Sequence, residues 1–321
     1  MRFKERALVC MLICSPAYLH AGEFLATKNE NPLLRALYLP LPADMGSANG
    51  AALSMSLSVA NTINAEPRET ESLFVDGEAT TLRLAFDAPL APRWRYRLTL
   101  PLIHDSGGRL DSLIDRWHGW FGLPRGQRPG SSHNQLRYSY SGESAVNVNA
   151  SQTGLGDASA ELGWYLLDDT SRSVSVWGGL EAPTGKASAL TGDGAWDAGL
   201  WVHAVLGGAR WQLGGEAGVL RPFGDDVFAG AARRTAMFGR AAATWRANAD
   251  WSLRLQLDAQ SARLKNTQLR FLGPSLQMSA GVEYRLNRCW SAQLGFSEDA
   301  AVNTAPDVTF FFGLRNVSTA H

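Results

Sequence analysis

The chain of 321 residues carries only three cysteines. Cys10 and Cys14 fall in the first twenty or so residues and are lost if that segment is removed. Cys289 is then alone, which excludes a disulfide framework and a cysteine-based zinc site, so it reads as structural. An excess of one charge is also missing: Lys and Arg total 30 and Asp and Glu total 30. That balance argues against nucleic acid or an anionic surface as partner. Lysine is scarce, and arginine supplies most of the positive charge. No stretch reaches the ~18 consecutive apolar residues of a transmembrane helix. Residues 190–194 are Gly-rich but lack the Lys-Ser/Thr that completes a phosphate loop, so they read as a turn. No cofactor is indicated.

What the chain does have begins at its N-terminus. Arg2, Lys4 and Arg6 form a positive region, residues 7–14 a short apolar one, and Leu19-His20-Ala21 resembles a cleavage site. The apolar run is too short for a hydrocarbon layer of roughly 30 Å. Residues 1–21 are therefore expected to be a signal peptide. An exported chain without a transmembrane helix is periplasmic, secreted, or inserted as a barrel.

The composition includes 32 glycines and 11 tryptophans, and several segments alternate apolar and polar residues over nine or more positions. Residues 51–60 set Leu53, Met55, Leu57 and Val59 against Ser54, Ser56 and Ser58. Residues 93–103 set Trp94, Tyr96, Leu98, Leu100 and Leu102 against Arg95, Arg97 and Thr99. The same pattern runs through residues 251–261 and 275–286, and more briefly through 290–296 and 308–314. Strands of ~9–11 residues are long enough to cross a membrane at a tilt. A soluble sandwich alternates too, with its apolar face inward. Two features favour the membrane: the turns are very unequal in length, and Trp94, Trp211, Trp245, Trp251 and Trp290 all lie beside the short ones, as in an interfacial girdle.

Short connections are expected at residues 87–92, 168–171, 207–208, 247–250 and 287–289. Long ones are expected at 61–72, 104–156, 184–194, 222–233, 265–272 and 299–307. They alternate along the chain, as periplasmic turns and extracellular loops must. The expectation is an all-β, transmembrane, antiparallel up-and-down barrel of about 12 strands over residues 51–317, with both termini periplasmic. Residues 135–150 would break the parity as a membrane strand and are assigned to the extracellular region as a projecting hairpin. Residues 22–50 form an extended lead-in, a candidate for the lumen.

Three pieces carry a family resemblance: Asn29-Glu30-Asn31-Pro32, the loop segment from Asp111 to Pro124, and Pro183-Thr184-Gly185-Lys186. With these the chain resembles an uncharacterised family of Gram-negative outer-membrane barrel proteins, a domain of unknown function. The resemblance spans nearly all of the chain after residue 21. It implies an outer-membrane location; for a barrel the expected partners are outer-membrane lipid and the barrel insertion machinery, and for a channel an unidentified small solute. No functional residues carry over. Many barrels end on an aromatic residue read by that machinery, whereas residues 316–321 follow the last Phe-rich strand here.

The polar strand faces collect Arg83, Arg95, Arg97, Glu161, Glu181, His203, Glu216, Arg240, Arg254, Asp258, Glu283 and Arg285. These line either an aqueous pore or a charge-paired network that fills the barrel, since unpaired buried charge is costly. Residues 108–123 read as an amphipathic helix, with Leu110, Leu113, Ile114, Trp117 and Phe121 on its apolar face. Leu113, Ile114, Trp117 and Phe121 are candidates for a plug or lid. Asp111, Asp115 and His118 share another face, a weak divalent-metal candidate against the ordinary reading of a solvated face. Ser131-Ser132-His133-Asn134 holds the residue types of a hydrolytic triad, but neighbours on one loop seldom meet in triad geometry. A channel for passive or gated passage leads. A closed barrel acting through its extracellular loops is the alternative, and an enzyme is not expected.

Overall fold

The computed structural model describes residues 24–42, 50–112, 116, 119–120, 134–142, 144–169, 171–224, 227–228, 231–301 and 304–319. Among the described residues fifteen strands join into one antiparallel sheet. They are β1 (Gly50–Pro67), β2 (Ser72–Ala91), β3 (Trp94–Ser106), β4 (Arg137–Ser141), β5 (Ala145–Val148), β6 (Gln152–Leu155), β7 (Ala158–Asp168) and β8 (Arg172–Ala182). The series continues with β9 (Trp196–Gly207), β10 (Trp211–Phe223), β11 (Ala236–Arg246), β12 (Trp251–Gln260), β13 (Ser275–Arg285), β14 (Trp290–Asp299) and β15 (Val308–Thr319). β1 pairs with β15 as well as with β2, so the sheet closes on itself. β6 and β7 both pair with β3 and share one position in the wall, interrupted at Gly156 and Asp157. β4 and β5 lie outside the ring. The wall is therefore a closed barrel of twelve strands. Closure leaves the wall without a free sheet edge, which lipid demands.

The alternation expected from the sequence has the inside-out sense of a membrane barrel. Leu53, Leu84, Leu98, Leu100, Leu255, Leu257, Met278 and Leu294 point outward and are exposed, while charged residues point inward and are buried. A soluble sandwich would do the opposite. At the end with the short turns, tryptophans meet in cross-strand pairs: Trp94 stacks on Trp164 with centroids 6.1 Å apart, and Trp211 lies 6.4 Å from Trp245. Trp251 packs on Tyr284 at 4.6 Å. This is a girdle at one interface, built from residues that present an apolar body and a polar edge. Arg93 turns the β2–β3 hairpin with φ 67°, a left-handed conformation uncommon for a residue with a Cβ.

The other end is built differently. β1 and β2, 18 and 20 residues long in all, run on past the membrane and are joined by residues 68–71. The long loop expected at residues 61–72 is thus a tight turn on a tall hairpin. Pro89 and Leu90 are likewise strand rather than turn, because the β2–β3 pairing continues through an irregularity to Ala91 and Trp94. The hairpin β4–β5 adds to the tall part of β2, pairing Asp76 with Arg137 and Ser72 with Ser141. Asp111, Ser112, Arg116, Gly119 and Trp120 are helical, and Trp120 is exposed. No described helix is long and apolar enough to cross a membrane.

Candidate functional site

The lumen is occupied by residues 24–42, nearly all of which are buried. Their path follows from local chemistry. Asn31 Oδ1 accepts the Leu33 amide at 3.0 Å, and Arg35 N donates to Asn31 O at 2.8 Å. Asn31 thus caps a single helical turn that has Pro32 at its first position, where a missing N–H costs nothing. Asn29 Oδ1 accepts the Asn31 amide at 2.9 Å and steers the chain into that turn. The turn reaches the tall end of the barrel, where Asn31 Nδ2 donates to Phe271 O at 2.8 Å. On either side of it the chain is extended. Lys28 Nζ reaches across to Leu39 O at 3.2 Å and ties the two limbs together.

An extended segment inside a closed barrel cannot pair with the wall's backbone, whose hydrogen bonds are spent in the ladder. Side chains must satisfy it instead. Arg254 Nη1 and Gln293 Nε2 donate to Phe24 O at 2.7 and 3.2 Å. Gln256 Oε1 accepts from Leu25 N and Gln293 Oε1 from Ala26 N. Arg263 Nη1 donates to Tyr38 O, Arg240 Nη2 to Pro40 O, and Asp197 Oδ2 accepts the Tyr38 amide. Glu30 is tied to three residues of the wall. Arg83 donates to both its carboxylate oxygens, at 2.7 and 2.9 Å, while the Ser58 hydroxyl donates to Oε1 and that of Thr81 to Oε2. A two-pronged, charge-assisted contact of this kind carries both energy and orientation.

The wall is also shaped to receive the segment. Gly281 on β13 has no side chain where Leu25 lies: a Cβ there would come within 2.8 Å of Leu25 Cδ2. Gly179 and Gly199, paired across β8 and β9, make the same allowance for Tyr38. At the tall end, Leu33, Leu34 and Leu37 pack with Val75, Tyr138 and Val148 of the hairpin extension and with Leu190, Phe228, Leu269, Phe271 and Leu272 of the loops. Arg35 pairs there with Asp105 at 2.6 Å, both side chains fully buried. A cavity of about 50 Å³ remains beneath the segment, lined among others by Phe24, Pro42, Arg83, Arg97 and Arg315.

Of the polar-face residues, Arg83, Arg95, Arg97, Glu161, Glu181, His203, Glu216, Arg240, Arg254 and Glu283 are buried and Asp258 and Arg285 half-buried. The register brings several together as a ladder: His203 faces Glu216, Glu216 faces Arg240, and Arg240 faces Asp258. The corresponding contacts are 3.2, 2.5 and 2.8 Å. Arg254 pairs with Glu283 at 2.7 Å, Arg97 with Glu161 at 3.4 Å, and Arg95 with Asp87. Glu181 lies within electrostatic reach of Lys28. Charge pairing therefore accounts for most of this set, and Arg83, Arg240 and Arg254 also hold the inner segment.

Leu113, Ile114, Trp117 and Phe121, the plug or lid candidates of the long loop, lie outside the described residues, as do Asp115, His118, Ser132 and His133. Asp111 accepts from Asn61 Nδ2 at 3.0 Å and from Asn134 N at 2.8 Å. No group of His, Cys, Asp and Glu among the described residues is arranged to hold a metal ion. The sequence marks residues 22–50 as a lumen candidate and Glu30 as part of a family motif, but assigns no role to Glu30, Arg35 or Tyr38, because their partners are far away in the chain. Sequence reasoning passed over Trp177, Trp201 and Phe238, aromatic residues on the inner face, because polarity was the criterion for that face. The polar Asn29-Glu30-Asn31-Pro32 run directly before an apolar one was the available signal.

The sequence matches, over residues 4–317, the family described as protein of unknown function DUF3187, and the chain belongs to that family. No curated protein matches it. Among solved structures it is similar to the COG4313 outer membrane channel from Pseudomonas putida F1, at 14% identity and a TM-score of 0.56, covering 89% of this chain and 98% of that one. It is similar also to the NanC porin, at 9% identity and a TM-score of 0.48, covering 84% and 100%. At these identities the likeness is one of fold: an outer-membrane-type barrel.

Proposed function

We propose that this DUF3187 protein is a gated outer-membrane channel for small molecules, and that residues 24–42 are its gate. One observation carries the reading. The wall's own side chains leave room in the lumen for a separate length of chain, residues 24–42, which is seated on them. A twelve-stranded barrel encloses more space than its inward residues fill, so withdrawing the segment would leave a polar passage lined by Arg83, Arg240, Arg254 and their carboxylate partners. The expected setting is the outer membrane, reached through the barrel insertion machinery, with lipid against the apolar outer face. The fold similarity to an outer-membrane channel supports this.

The test is ion conductance in a planar bilayer, comparing the purified, refolded protein with a variant lacking residues 24–42. The full chain is expected to be closed most of the time and the deletion to conduct steadily. Silence from both, with the deletion still showing the heat-dependent gel shift of a folded barrel, would sink the channel reading. A closed barrel acting through its extracellular loops would then stand in its place.

A further inference from the structure

Tyr38 occupies a socket built by residues of the barrel wall, with Leu39 of its own segment beside it. Its side chain is buried, and its hydroxyl donates to Glu161 Oε1 at 3.1 Å. Arg97 holds that carboxylate at 3.4 Å and lies over the Trp177 ring, 5.6 Å from its centroid. The ring of Tyr38 clusters with Trp201, which stacks on Trp177 with centroids 6.3 Å apart and planes 18° from parallel. The floor is glycine. A Cβ on Gly179 would lie 2.1 Å from the Tyr38 hydroxyl oxygen, and one on Gly199 3.0 Å from the ring. Any side chain at either position would fill the space.

These six residues sit on β3, β7, β8 and β9, in register and hydrogen-bonded through the wall. Their arrangement does not depend on the segment that supplies Tyr38. A flat slot with an indole side, a glycine floor and a charge-stabilised acceptor at its far end is complementary to a hydroxylated aromatic ring. In the chain, the position para to the hydroxyl leads to the Tyr38 backbone. A free ligand would have room for a substituent there once the segment is displaced.

We propose that this socket is a binding site for para-substituted phenols, which compete with Tyr38 for it, and that such phenols are the solute class the channel admits. The second half rests on the channel reading above, and the first does not. Entry of a phenol removes one anchor of the gate, so ligand and opening are linked: the ligand favours the state in which Tyr38 has left.

The experiment uses fluorine NMR of 4-fluorophenol with the refolded full chain and with Tyr38→Ala in the same detergent, so that partition into micelles is common to both. Tyr38→Ala is expected to show a saturable bound signal at least about tenfold tighter than the unsubstituted chain. The signal should be displaced by 4-methylphenol, and at least about tenfold less well by toluene or 4-methylcyclohexanol, which lack the hydroxyl or the aromatic ring. Adding Gly179→Ala to Tyr38→Ala should abolish it. If Tyr38→Ala does not fold, the chain lacking residues 24–42 takes its place. A folded variant with no saturable signal, toluene competing as well as 4-methylphenol, or binding that survives Gly179→Ala would each overturn the site. Binding without any rise in conductance of the full chain on adding 4-methylphenol would overturn the solute assignment alone.

Discussion

The tip and the stem of the lumen segment are held by different physics. The tip, around Leu33, Leu34 and Leu37, sits in an apolar cluster and makes one ion pair, Arg35 with Asp105. The stem, on either side, is held by Glu30 against Arg83 and by side chains that serve its backbone. Apolar contacts are forgiving of small shifts, whereas a bidentate carboxylate contact is not. The tip therefore closes the mouth, and the stem sets register and depth. Both sets of partners are buried, so salt should have little effect on the gate, in contrast to an exposed charge pair.

That contrast can be broken from either side. The largest effect is expected from Glu30→Ala, which strands Arg83 uncompensated in the lumen at a cost of roughly 3–5 kcal/mol. Open probability in the bilayer should rise steeply, and Glu30→Ala/Arg83→Ala should recover part of the loss. If the double variant is worse than the single one, the pair is not the anchor. Next, Leu33→Ala removes a fully buried side chain from the tip and should cost about 2–5 kcal/mol, read as the same rise in opening. Combining Leu33→Ala with Glu30→Ala sharpens the comparison. A sum smaller than the parts shows that tip and stem release as one unit, and full additivity shows that they act independently.

Gly281→Leu pushes a side chain into the space of Leu25, and crowds the Leu294 carbonyl of β14 as well; it should loosen the stem by about 1–3 kcal/mol without touching the tip. Its control is Leu255→Arg on the outer face of the neighbouring strand. That change should destabilise the barrel itself by about 2–4 kcal/mol in denaturant unfolding and leave gating alone. The smallest effect is expected from Asn31→Ala, which removes the cap of the turn at a cost of about 1 kcal/mol and should give brief openings only. No change in opening would show that Pro32 and the apolar cluster suffice to shape the tip.

Much of the wall was legible because a membrane strand is a local object. Leu253, Leu255 and Leu257 alternate with Arg254, Gln256 and Asp258, and each can be assigned to a face without knowing its neighbours. The parity of turns then placed β4 and β5 outside the membrane, where they are found. Strand ends were less legible. β1 continues through Asn61 to Pro67, past the point where alternation fades, because its pairing with β2 continues there. Trp177 and Trp201 have no place in the sequence reading: they face inward, where an apolar residue is expected only if something apolar meets it, and that something, Tyr38, is far away in the chain.

The sequence by itself determined a twelve-stranded barrel with an apolar outside, a charged inside and tryptophans at one end, because period and turn length are properties of neighbouring residues. Only the tertiary structure decided that residues 24–42 fill the lumen, that Glu30 meets Arg83, and that glycines on opposite walls are sockets for Leu25 and Tyr38. Those contacts join residues dozens to hundreds of positions apart. They exist only once closure of the barrel has brought the two walls to face each other.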